Sequence, residues 1–287
     1  MSDPRYAVSP PTGRPPGHWQ FPAFLAMLAA FIWLRDLVWL NDPANTLPVL
    51  VGLPLMAWLG APWELRRAPA LVLAPRWALA GLGLFVIGTL TSLCVVLTAA
   101  WCCLLWSWLA PRLDAKRRPA AAKLMVLPFL SFPWIVLEGE TVGFWFRLTG
   151  TQVTGWLYQG LGLNVTAIGT QLRIDGLPVD VGAACAGLNT LQAMLMAGAA
   201  LAFLWLGNTR RYWWNLLLLL LLAWLANTLR VAFVCALGLS FGVELASGLI
   251  HTYGGWLVLM IMFLVCVAAF RWQRPETAPA AAAPRRR

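Results

Sequence analysis

Charge is what this chain has least of: 11% of its 287 residues are Asp, Glu, Lys or Arg, against 60% hydrophobic residues and a mean hydropathy of +0.72. So few charges cannot cover the surface of a soluble domain, and the composition is that of a polytopic membrane protein. Histidine is scarcer still. Only His18 and His251 are present, which argues against a histidine-built metal centre. The six cysteines form no CxxC pair, and Cys94, Cys102, Cys103, Cys235 and Cys266 fall in apolar runs. Neither a disulfide framework nor a zinc site is indicated, and no cofactor is implied.

The charges that do occur are unevenly placed. The net +10 does not point to nucleic acid, because the basic residues sit in short segments between apolar runs, as the positive-inside rule requires. Segments assigned to the inner side carry 17 basic and 4 acidic residues, whereas the remainder carries 4 basic and 7 acidic ones. Both termini are therefore expected in the cytoplasm of a cell with an inner membrane. Residues 1–17, polar and proline-rich, read as a disordered leader without a cleavable signal. Residues 275–287 read as a disordered basic tail, which leaves 18–274 as one membrane domain.

Taken in order, the apolar runs predict an all-α bundle of about eight transmembrane helices. Phe21 to Leu40 and Thr46 to Trp63 are the first two. Trp77 to Ala110 is a run of 34 uncharged residues between basic brackets, so it should fold as two short helices with a tight turn near Gly88 to Ser92. Leu124 to Leu137 crosses next. Residues 138–184 are the only sizeable outer-face segment, with interfacial helices around Phe144 to Tyr158 broken by Gly150 and Gly155. Alternation of apolar and polar residues on both sides of Asp175-Gly176 predicts a β-hairpin over 171–181, with Pro178 on an edge strand. Spans from about Cys185 to Leu206, Trp213 to Val231 and Gly254 to Phe270 complete the count.

This topology brings three reactive groups to one outer level. Cys185 stands where the hairpin runs into a helix, and unpaired N–H groups with the positive end of the helix dipole favour its thiolate. Arg230 follows the apolar run Leu216 to Leu225 without basic neighbours, and an arginine at membrane depth calls for a partner or a ligand. Apart from His18 beside the proline-rich leader, His251 is the only histidine. A nucleophile, a cation for an oxyanion and a general acid/base are what acyl transfer needs. Asn189 and Gln192 share the helical face of Cys185, and Asn227 lies one turn before Arg230; all three are candidates to orient or bind substrate.

The segments Ala184-Cys185-Ala186-Gly187-Leu188 and Asn227-Thr228-Leu229-Arg230-Val231, with the isolated His251 before a last span, resemble the exosortase/archaeosortase family of membrane transpeptidases. The resemblance implies that Cys185 is the nucleophile, with Arg230 and His251 completing the site at the periplasmic face. It also implies membrane-anchored protein substrates with C-terminal PEP-CTERM-like sorting signals: a short motif, one span and a basic tail. The acceptor would be an amine, a lipid-linked group or water, and no nucleic acid is a partner. Many members have Cys-Ser-Gly followed by leucine or valine and a basic residue, where this chain has Ala186 and Asn189. The subfamily and its recognition motif therefore stay open. The competing reading is a non-catalytic membrane scaffold or transport component, in which the trio would only pack and anchor.

Overall fold

The computed structural model describes residues 19–66, 71–180, 188–242 and 249–273, and it is mostly helical. The leader, the tail and the Cys185 segment lie outside the described residues. The helices are α1 (Gln20–Leu34), α2 (Pro43–Leu59), α3 (Pro75–Thr91), α4 (Cys94–Leu109), the short α5 (Arg118–Leu124), α6 (Val126–Leu130) and α7 (Trp134–Leu137), then α8 (Gly139–Gly160). Strands β1 (Val165–Ile168), β2 (Gln171–Ile174) and β3 (Leu177–Asp180) follow, and α9 (Leu188–Leu206), α10 (Arg211–Phe241) and α11 (Leu249–Trp272) close the chain. Among the described residues, Cys94–Arg112 and Arg211–Phe241 are the two helical segments long and apolar enough to cross a membrane by themselves. Five shorter apolar helices accompany them: Gln20–Leu34, Asn45–Leu59, Pro75–Thr91, Leu191–Leu206 and Met260–Trp272.

Local chemistry explains where the elements stop. Pro75 opens α3, and Ser92 in the left-handed region (φ 62°) closes it, so the turn expected near Gly88 to Ser92 is present. Close packing of α3 on α4 requires small residues, since a Cβ on Gly81 or Gly88 would crowd Leu104 or Leu97. The expected span Leu124–Leu137 is not one helix. Pro128 and Pro133 remove backbone donors, and the chain breaks at Ser131 into α6 and α7. Carbonyls freed there find side-chain donors: Trp33 Nε1 reaches Ser131 O at 3.0 Å, Trp134 Nε1 reaches Phe129 O at 2.9 Å, and Gln192 Nε2 reaches Leu130 O at 2.8 Å.

Three further expectations change. Helix α1 ends at Leu34, not near Leu40, because Asp36 Oδ1 accepts the Val38 N–H and starts a separate 3-10 turn. Gly150 and Gly155 do not break α8. Gly150 lies against Thr228 of α10 and Gly155 against Val165, Ala167 and Leu172, so both serve close packing inside a continuous helix. Helix α10 runs ten residues past Val231, to Phe241, where Gly242 (φ 91°) ends it.

The hairpin stands where expected, with Leu172 opposite Val179 and Arg173 opposite Pro178. Asp175 (φ 48°) and Gly176 (φ 86°) both have positive φ, as a type I′ turn demands. The unforeseen β1 pairs with β2 through Gly169-Thr170, making a three-stranded antiparallel meander with β2 at its centre and β3 at the edge. Its inner face, Val165, Leu172 and Ile174, packs with Tyr158 of α8 on Val231 and Cys235. The extension of α10 is thus the support on which the sheet rests.

At the opposite end of the bundle, buried Lys123 donates from Nζ to Gly207 O (2.6 Å) and Thr209 O (2.8 Å), while the Tyr212 hydroxyl donates back to Lys123 O (2.9 Å). Arg112 donates to Val72 O and Trp108 O and stacks over the Trp108 ring. The two ends are therefore chemically distinct: one basic and clamped by cations, the other carrying the sheet.

Candidate active site

Helices α9, α10 and α11 pack on one another through Leu191, Met194, Ala223, Ala226, Met262 and Cys266. All are small or flexible, which lets the three helices approach closely. Helix α9 leads directly out of the Cys185 segment, and its first turn, which contains Asn189, begins at Leu188. The basic ends of α10 and α11 are tied by a reciprocal amide pair, Asn215 Nδ2 to Gln273 Oε1 (2.9 Å) and Gln273 Nε2 to Asn215 Oδ1 (3.1 Å). From that tie Arg230 stands about 22 Å along α10 and His251 about 33 Å along α11, at ~1.5 Å per residue. Both fall in the halves of their helices toward the sheet end. His251 is the third residue of α11; its side chain, like those of Asn189 and Cys185, lies outside the described residues.

What surrounds Arg230 is described in detail. The residue is half-buried, and its Nε is buried with no hydrogen-bond partner among the described residues. One turn earlier Asn227 is 6% exposed, and neither its Oδ1 nor its Nδ2 is paired. Gln192 is fully buried but differently engaged. Its Nε2 supports the α6–α7 break, and only Oε1 is left without a partner. The structure therefore associates Asn227 with Arg230 and draws the donor of Gln192 toward Leu130.

Helix α8 adds residues that sequence reasoning passed over. Its two ends are tied: Glu138, just before it, accepts the Cys94 and Val95 N–H groups at the start of α4, and the Tyr158 hydroxyl donates to Ala232 O at 2.8 Å. Burial pushes the Tyr158 phenol up to about 12, and the Cys235 thiol adds to the effect, so this hydroxyl stays a proton donor at physiological pH. Between the ties, Trp224 Nε1 donates to Thr149 Oγ1 (2.9 Å). Thr151 and Thr154 are fully buried with unpaired hydroxyls. The available signal was their i, i+3 spacing between two glycines, which reads equally as a helix face and as a broken segment.

A profile of the transmembrane exosortase family (Exosortase_EpsH) matches residues 24–268. The chain belongs to that family. No curated protein and no solved structure matches it. Exosortases are a protease and transpeptidase family, and membership points to a membrane transpeptidase. Among the described residues no group of three or more His, Cys, Asp or Glu side chains is placed to hold a metal ion. The matched region includes all of α2 to α10 and both the Cys185 and His251 positions, so this exosortase carries its candidate residues within the family's own extent.

Proposed function

We propose that this exosortase is a cysteine transpeptidase of the inner membrane that cleaves C-terminal sorting signals and transfers the processed protein to an acceptor. Its eight spans put both termini in the cytoplasm and the sheet end at the periplasmic face. A substrate carrying a short motif, one span and a basic tail docks laterally against the bundle. The Cys185 thiolate attacks the scissile carbonyl, and Arg230 stabilises the oxyanion. His251 gives a proton to the departing amine as the C–N bond breaks, leaving a thioester on Cys185. An acceptor amine, hydroxyl or water then gives a proton to His251 and attacks the thioester, and the C–S bond breaks to regenerate the thiolate.

The observation that supports this reading is the packing of three helices as one trio: α9, which follows the Cys185 segment in sequence, α10, which carries Arg230, and α11, which carries His251. A guanidinium nitrogen left buried without a partner among the described residues fits a group waiting for developing negative charge. Co-expression with a tagged reporter ending in such a signal tests the proposal. The wild type should shorten the reporter and Cys185→Ala should not; equal shortening by both refutes it.

A further inference from the structure

The polar atoms between α8 and α10 are hard to explain as packing. Thr154 lies one turn after Gly150, which abuts Thr228, and one turn before Tyr158, which reaches Ala232. Its hydroxyl therefore faces the Thr228–Ala232 stretch of α10. Thr151 precedes it on the same buried face, and Asn227 lies on the stripe of α10 that continues to Arg230. A helical threonine ordinarily returns its hydroxyl to the carbonyl four residues back, as Thr149 does to Trp145 O at 2.7 Å and Thr228 to Trp224 O at 3.0 Å. Thr151 and Thr154 do not, and both atoms of the Asn227 carboxamide are unpaired as well. Valine in place of either threonine would fill the same volume without burying an unpaired hydroxyl.

We propose that Thr151, Thr154 and Asn227 form a polar seat between α8 and α10 that binds main-chain amides of the sorting-signal peptide, an inference that rests on the transpeptidase reading above. The chemistry selects the ligand. Two hydroxyls and a carboxamide each donate and accept, as an extended peptide's N–H and C=O groups require, and none carries a charge. A free carboxylate or phosphate would call for a cation in the seat itself, and none of the three residues is one; Arg147, one turn before Thr151, donates to Gly143 O. Peptide entry parts α8 from α10 beside the Gly150–Thr228 contact and breaks the Trp224–Thr149 hydrogen bond that crosses the same seam. The seat holds the peptide on the α8 side of α10, with Asn227 between it and the face that carries Arg230. Thr151, Thr154 and Asn227 are thus positioning residues.

The test uses the full chain in membranes with the tagged reporter as substrate. Thr151→Val/Thr154→Val should raise KM about tenfold with little change in kcat, two lost hydroxyls at roughly threefold each. Its melting temperature should equal or exceed that of the wild type, and Thr151→Ser/Thr154→Ser should restore KM. A wild-type KM in the valine pair, a serine pair no better than the valine pair, or a melting temperature that falls in step with activity would overturn the seat. Cysteine 185 separates the two ideas: cleavage that persists in Cys185→Ala removes the transpeptidase reading and the seat with it. Cleavage lost in Cys185→Ala beside a wild-type KM in the valine pair removes the seat alone.

Discussion

At the scale of single residues, Arg230 shows how membrane depth sharpens a prediction. Its guanidinium would stabilise an oxyanion through a planar fork of donors, a geometry that the single ammonium of lysine does not reproduce. Arg230→Lys should therefore lower reporter cleavage almost as far as Arg230→Ala, both by roughly 100-fold or more, without loss of folded protein. Lysine restoring most of the rate would reduce Arg230 to a point charge. Lys123 makes the contrasting case of a cation with a structural task. Lys123→Met leaves the Gly207 and Thr209 carbonyls without their donor and should cost about 3 kcal/mol, read as a lower melting temperature with unchanged KM. Cys185, Arg230 and His251 stood out in the sequence as candidates because such groups are conspicuous among apolar residues. The unpaired state of Thr151 and Thr154 was not, because a helical threonine reads the same whether or not its hydroxyl is bonded.

At the scale of elements, legibility followed how local the cause is. Asp175-Gly176 specified its own turn, since few other residues accept positive φ twice in succession, and the Ser92 turn followed from the length of the apolar run around it. Strand β1 was missed because four residues reading Val-Thr-Ala-Ile show too short an alternation, and their pairing depends on β2 already being in place. Continuity of α8 was missed for the opposite reason: its glycines answer to Thr228 and Leu172, partners far away in sequence. Tertiary closeness of this kind makes a further expectation. A Cβ on Gly52 of α2 would overlap the Ser131 hydroxyl and crowd Leu127 O, which is backbone and cannot yield. Gly52→Ala should cost roughly 1–3 kcal/mol by overpacking, visible in detergent melts. Ile174→Ala, in the buried face of the sheet, should cost about 2–5 kcal/mol and loosen the support between sheet and α10. A wild-type melt for Ile174→Ala would mean that the meander does not depend on that packing.

At the scale of the molecule, the bundle is organised as two unlike ends. Cation clamps at Arg112 and Lys123 hold the turns at one end, and the meander on the α10 extension marks the other. Under the proposed orientation, read from the distribution of charge, a thiol-reactive, membrane-impermeant probe applied outside intact spheroplasts should label Ser92→Cys and fail to label Thr209→Cys, both in a Cys185→Ala background. The reverse pattern would invert the proposed topology and move the catalytic groups to the cytoplasm. The central claim is that Cys185 carries the acyl group, and a trapped intermediate tests it most directly. Enzyme co-expressed with the reporter, quenched in acid and mapped by mass spectrometry, should hold the reporter's processed end as a hydroxylamine-labile thioester on Cys185, absent from Cys185→Ala. A thioester on another cysteine, or reporter cleaved by Cys185→Ala at the wild-type rate, would contradict it.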